Sequence, residues 1–184
     1  MTAALEHRKR FDGRPAFEVE HTVTYADTNA VGNVYFATYF AWQGKARELF
    51  LAGHAPGVVD DLRTRHVLVT VEADCSFLAE LWPFDRIVIR TYADDPVQNR
   101  LTLHFDYWRT GGAAAELVAR GQQTVAWFER VPDGRPRAIP VPGELVEAVL
   151  AGRAAGGFTR PEPTAPTAAV SHHPTHLPDS RSDR

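Results

Sequence analysis

Thr24-Tyr25-Ala26-Asp27-Thr28-Asn29-Ala30-Val31-Gly32-Asn33-Val34-Tyr35-Phe36-Ala37-Thr38-Tyr39-Phe40 is the stretch on which the fold turns, because two periodicities meet in it. Upstream, Phe17, Val19, Val23 and Tyr25 alternate with Glu18, Glu20, Thr22 and Thr24, the pattern of a half-buried strand. Downstream, Phe36, Tyr39, Phe40, Gln43, Arg47, Phe50 and Leu51 recur at helical spacing on one face, with Thr38, Lys45 and Glu48 on the other side. Asp27-Thr28-Asn29 makes a polar turn that closes at Gly32-Asn33. Asn33 is then placed to cap a helix from about Val34 to Ala52.

Working outward, His66 to Leu78, Asp85 to Tyr92, Leu101 to Arg109 and Leu117 to Phe128 read as strands rich in Val, Ile, Thr and aromatics. Breaks at Trp82-Pro83, Asp94-Asp95-Pro96 and Gly111-Gly112 separate them, and Asp60-Asp61 and Asp94-Asp95 read as solvated loops. A short helix over Glu144 to Leu150 closes the domain. One long helix after the first strand, then four strands, is an α+β pattern. An antiparallel sheet wrapped around one long central helix, the hotdog architecture, fits this order, and a cystatin-like or other α+β roll fits the same string. Residues 1–14, with the basic cluster His7 to Arg10, read as a flexible arm, and 15–152 as the domain. Residues 153–184 read as a disordered Pro/Ala/Thr/His tail, most clearly after Gly157.

The chain of 184 residues suits one domain with tails, and its net charge of −3 gives no basic field for nucleic acid. Cys75 stands alone, which excludes an intrachain disulfide, and on a strand a lone Cys is a small buried hydrophobe. Met1 to Gly13 lacks the apolar run of a signal peptide, and no stretch approaches the roughly 18 apolar residues of a membrane span, so a cytoplasmic protein is expected. Ser76, Ser171, Ser180 and Ser182 all lie outside any G-x-S-x-G, which removes an α/β-hydrolase triad. A phosphate loop, a dinucleotide fingerprint and zinc-ligand spacing are also missing, and His172, His173 and His176 fall in the tail. Neither cofactor nor metal is expected.

The polar residues within the aromatic helix face are the most informative local feature. A buried Arg requires a partner, so Arg47 either meets an acceptor inside the fold, contacts a second subunit, or lines a wet cleft. Asp27, Asn29 and Asn33 crowd around Gly32, where Asn and Asp serve turns and caps for local reasons. Free N–H groups at the helix start, around Val34 to Phe36, can also receive a polarised carbonyl oxygen.

Thr24 to Phe40 resembles the signature of the 4-hydroxybenzoyl-CoA thioesterase-like hotdog family: an aromatic residue, a D-x-D pair, a Gly, then V-Y/F-Y/F entering the long helix. Val71 to Arg90 is similar to the family's later strand, turn and strand, and the likeness spans Phe17 to Phe128. The position of the family's catalytic carboxylate holds Asn29, which cannot act as nucleophile or base. The thioesterases of enediyne polyketide biosynthesis are similar at this point. Their T-N-x-V-G-N-V-Y matches Thr28 to Tyr35, and their W-Q-G-x-x-R-E matches Trp42 to Glu48. A-E-L-x-x-F-D matches Ala79 to Asp85, and F-D-Y-x-R matches Phe105 to Arg109.

This resemblance implies hydrolysis of a polyene or β-ketoacyl thioester from the acyl carrier domain of an iterative polyketide synthase. The β-keto acid released is of a kind that can then lose CO2. It implies Asn29, Arg47 and Tyr39 as catalytic residues, the first two holding the carbonyl and the attacking water and Tyr39 orienting the substrate. Phe36, Phe40, Gln43 and Phe50 are the expected substrate-binding residues, lining or supporting an apolar channel. The family also implies a homo-oligomer, a dimer of dimers, with sites between protomers completed by the partner strand around Val67 to Glu72. Two other readings stay open: a general acyl-CoA thioesterase with Asp27 as base, and a non-catalytic acyl-binding protein.

Overall fold

β1 (Phe17–Thr22) is shorter than its alternation suggests, because Tyr25–Asp27 closes into a 3-10 turn. Asp27 Oδ2 accepts the Thr24 backbone N–H at 2.7 Å and the Thr24 hydroxyl at 2.8 Å. Such local side-chain bonds offer the backbone an alternative to the sheet ladder. These coordinates are a computed structural model that describes residues 16–132 and 134–159. The expected arm over residues 1–14 and the expected tail beyond residue 159 lie outside the described residues.

The helix α1 (Phe36–His54) starts two residues later than expected, and Asn33 does not cap it. Tyr35 occupies the cap position without a side-chain bond, while the Asn33 side chain is engaged by Asn29 and Glu80. Its buried face is Tyr39, Trp42, Gln43, Ala46, Phe50 and Leu51, rotated from the expected stripe. Phe36 is 54% exposed and Phe40 half-buried, whereas Trp42 and Ala46 point inward. The rings explain the rotation: Tyr39 meets Trp42 and Tyr107 edge-on at 5.3 Å each, burying two large aromatics against the sheet.

A second helix, α2 (Pro56–Thr64), was not legible in the sequence. Pro56 sits at its start, where a missing N–H costs nothing, and Val58, Val59 and Leu62 pack on the core. Asp60 and Asp61 are therefore helical rather than loop residues, paired with Arg63 at 3.6 Å and Arg65 at 2.7 Å. Then follow β2 (His66–Phe77), β3 (Arg86–Ala93), β4 (Arg100–Thr110), β5 (Glu116–Glu129), the two-residue β6 (Arg137–Ala138) and α3 (Gly143–Ala154).

The strands form one antiparallel sheet in the order β1-β3-β4-β5-β2, with β6 added to β5. α1 lies across it, giving the α+β hotdog fold. Phe50, fully buried, meets Phe17 at 5.4 Å and Phe158 at 5.1 Å, and a side chain so buried stabilises the fold by about 1.5–3 kcal/mol. Phe158 is itself buried and its carbonyl accepts the Ala93 N–H, so the packed core continues beyond Gly152. β2 ends the sheet order, and its register with β5 slips between Thr70 and Glu72, a bulge of the sort that re-aims side chains near sites.

Candidate active site

Asn29 is held by its own turn. Its Nδ2 donates to Asn33 Oδ1 at 2.7 Å, and its Oδ1 accepts the Val31 and Gly32 N–H groups at 2.8 and 3.2 Å. Gly32 makes the turn possible with φ +99°, and an added Cβ would lie 3.5 Å from the Trp82 ring. Asn33 Nδ2 in turn donates to Glu80 Oε1 at 3.1 Å. A carboxylate only accepts, so Glu80 fixes the Asn33 amide with its oxygen toward Asn29. The Asn29 oxygen is filled by two donors, and one Nδ2 hydrogen remains. What Asn29 can offer a ligand is therefore one N–H.

Asn33, Phe36, Tyr39, Phe77, Leu78 and Glu80 border a cavity of about 330 Å³. Nothing in the sequence marks Phe77, and Glu80 is one letter of the Ala79 to Asp85 run. The helix-start amides are fewer than expected. Val34 N–H donates to Leu81 O and Tyr35 N–H to Asp27 O, leaving Phe36 alone of the three without a partner among the described residues.

Arg47 lies elsewhere. Its Nη1 donates to Thr70 Oγ1 at 2.9 Å, beside the β2 bulge, and to Gln123 Oε1 at 3.0 Å. Glu48 is 3.9 Å from its Nη2, and its Nε is buried with no partner among the described residues. Burial pushes the guanidinium below its usual range, against the raising effect of Glu48. It borders a larger cavity of about 570 Å³ whose walls include Leu51, Val59, Leu62, Val67 and Leu68. The Nε is closed off from the cavity, so only the outer guanidinium N–H groups of Arg47 can donate to a carbonyl oxygen there.

Of the other expected residues, Tyr39 joins Phe36 on the smaller cavity. Tyr39 is 3% exposed, packed edge-on against Phe77 and Tyr107, and burial raises its hydroxyl to about 12. Gln43 is fully buried, donating Nε2 to Asp74 O at 2.9 Å. Phe50 belongs to the core, and Phe40 borders neither cavity. Asp27 is occupied: burial works to raise its carboxyl, but the bonds from Thr24 and His21 outweigh it and hold the group below its ordinary value. Burial lifts the Cys75 thiol to about 12, so no thiolate forms near neutrality. Among the described residues, no cluster of His, Cys, Asp or Glu could hold a metal ion. No helix among them is long and apolar enough to cross a membrane.

Within the chain Asn29 and Arg47 are held by separate sets of hydrogen bonds. They share no partner, and Arg47 lies eleven residues along α1 from Phe36, roughly 16 Å at the helical rise.

A family model described as the thioesterase-like superfamily matches residues 23–149. Among solved structures, the dynemicin thioesterase, from a study of induced fit and allostery upon polyene binding, is 42% identical. It has a TM-score of 0.70, with 74% of this chain and 96% of that one covered. A 1,4-dihydroxy-2-naphthoyl-CoA thioesterase from Synechocystis is similar in fold at 22% identity and a TM-score of 0.63, covering 73% and 96%. The 4-hydroxybenzoyl-CoA thioesterase from Pseudomonas sp. strain CBS-3 follows at 21% and 0.62, covering 73% and 99%. No curated protein matches the chain.

Proposed function

The chain belongs to the thioesterase-like superfamily and is a thioester hydrolase; from that premise we propose that it releases a long polyene or β-ketoacyl chain from the acyl carrier domain of an iterative enediyne polyketide synthase. The observation that carries this reading is the Arg47 guanidinium at the edge of a mainly apolar cavity of about 570 Å³. That volume falls within the ~300–1,000 Å³ of small-molecule sites. A cation at one edge suits a thioester carbonyl, and the Leu and Val walls suit an extended apolar chain. The likeness to a polyene-binding dynemicin thioesterase supports the substrate class.

The site is completed by a second copy of the chain. β2 is an edge strand whose outer side carries no partner strand among the described residues, and Val69 and Val71 on it are 40% and 44% exposed. A long edge strand with open backbone N–H and C=O groups invites pairing. A two-fold axis between two such edges sets the strands antiparallel, so the His66 end of one lies beside the Phe77 end of the other. Arg47 is bonded to Thr70 toward the first end, while Glu80, just past the second, is linked through Asn33 to Asn29. One pairing thus moves the partner's Asn29 toward Arg47. The same geometry joins the cavity at Arg47 to the one at Tyr39.

In that site Asn29 donates its remaining N–H and Arg47 its guanidinium hydrogens to the acyl oxygen, which becomes an oxyanion as water attacks. Each such donor is worth ~2.7–4 kcal/mol of barrier. The test compares steady-state hydrolysis of a long β-ketoacyl chain on a carrier domain, the same chain on CoA, and a two-carbon acyl group on either carrier. The reading expects kcat/KM highest for the long carrier-bound chain, by tenfold or more. Equal rates on the acetyl thioesters would remove the assigned substrate class.

A further inference from the structure

We propose that Glu80 is the general base that activates water for this hydrolysis, which rests on the thioesterase reading of the Asn29 site. Asn29 cannot take the proton: its Oδ1 is filled by the Val31 and Gly32 amides and its Nδ2 only donates. The reaction nonetheless needs an acceptor. Glu80 stands two hydrogen bonds from Asn29, through Asn33, and borders the same cavity as Phe36, Tyr39 and Phe77. Only its Oε1 is engaged, by Asn33 at 3.1 Å, and it has no ion-pair partner among the described residues.

Its position is fixed from behind. Arg109 donates Nη1 to the Glu80 carbonyl at 3.2 Å, while Asp85 at 3.3 Å and Glu116 neutralise that guanidinium. The cation therefore holds the Glu80 backbone while its charge is answered elsewhere. The competing carboxylates are less suited. Asp27 Oδ2 accepts from Thr24 twice and lies 3.3 Å from His21 Nε2, and Asp85 Oδ2 accepts the Trp82 N–H at 2.9 Å and contacts Arg109. Glu48 projects into solvent, with a side chain 75% exposed.

In the step, the Glu80 carboxylate removes a proton from water as the water oxygen bonds to the acyl carbon. The carbonyl π pair moves onto oxygen, held by the Asn29 N–H. The pair then returns, the C–S bond breaks, and Glu80 passes its proton to the departing sulfur. Acid and thiol are formed with no redox change.

The experiment uses the full chain and its Glu80→Gln, Glu80→Asp and Glu48→Gln variants, with a carrier-bound long β-ketoacyl thioester and decanoyl-CoA as probes, across pH 4–9. Circular dichroism checks that each variant is folded. Glu80→Gln should lower kcat by about 10²–10⁴-fold, the usual contribution of a positioned base, with KM nearly unchanged. It should also lose the acid limb of the pH profile, while Glu80→Asp retains that limb and more activity than Glu80→Gln. The proposal is overturned if Glu80→Gln keeps activity within threefold, if it loses activity but keeps the acid limb, or if the loss falls on Glu48→Gln instead. A wild type inert on both probes fails differently, because it removes the thioesterase reading itself and the base with it.

Discussion

Gly121 and Gln43 compete for one space: a Cβ on Gly121 would stand 2.1 Å from Gln43 Nε2. The helix can send an amide through to the Asp74 carbonyl on β2 because β5 presents no side chain there. Gly121→Ala should displace Gln43 and strand that carbonyl, costing roughly 2 kcal/mol or more. Urea unfolding measures this, and a variant as stable as wild type would contradict the account.

Asp27 should matter for stability and not for chemistry. Its folded carboxyl lies below the ordinary value, so its contribution is complete above about pH 3.9 and disappears as pH falls through the lower folded value. Asp27→Asn should cost about 1 kcal/mol at pH 7, and its unfolding midpoint should converge with that of wild type in acid. Hydrolysis should stay within a few-fold. A loss of a hundredfold or more in a folded variant would restore Asp27 as the base.

Asn29→Asp changes one atom pair and reverses one polarity. The carboxylate still accepts the Val31 and Gly32 amides, but it faces Asn33 Oδ1 without a donor, and Asn33 cannot turn without losing Glu80. The N–H assigned to the acyl oxygen is lost as well. Turnover of the carrier-bound substrate should fall at least tenfold, with retained secondary structure by circular dichroism. Equal or faster turnover would show that a carboxylate here serves as base or nucleophile.

The fold was largely legible because its strands and long helix announce themselves by period, and the Asn29 turn by its Asx and Gly chemistry. Spacing alone misplaces the helix face, because it treats every aromatic and charged side chain on a stripe alike. Which of Phe36, Phe40 or Trp42 turns inward depends on Tyr107 and Phe77 across the sheet, contacts that spacing does not contain. The nine residues of α2 carry too short a period to reveal it, although Pro56 marks its start. Glu80 is hidden for a related reason: it reaches Asn33 across 47 residues, and its own neighbours hold no sign of the bond.

The most direct measurement of the central claim, a site with Arg47 from one protomer and Asn29 from the other, is complementation. Arg47→Ala and Asn29→Ala variants should each be nearly inactive while remaining folded oligomers. Mixed by co-expression, they should form heterodimers in which one site carries both mutations and the other carries neither. Random pairing then restores roughly a quarter of wild-type activity per protomer. If the mixture is no more active than the two variants alone, the two residues do not meet across the pairing, and the composite site is wrong.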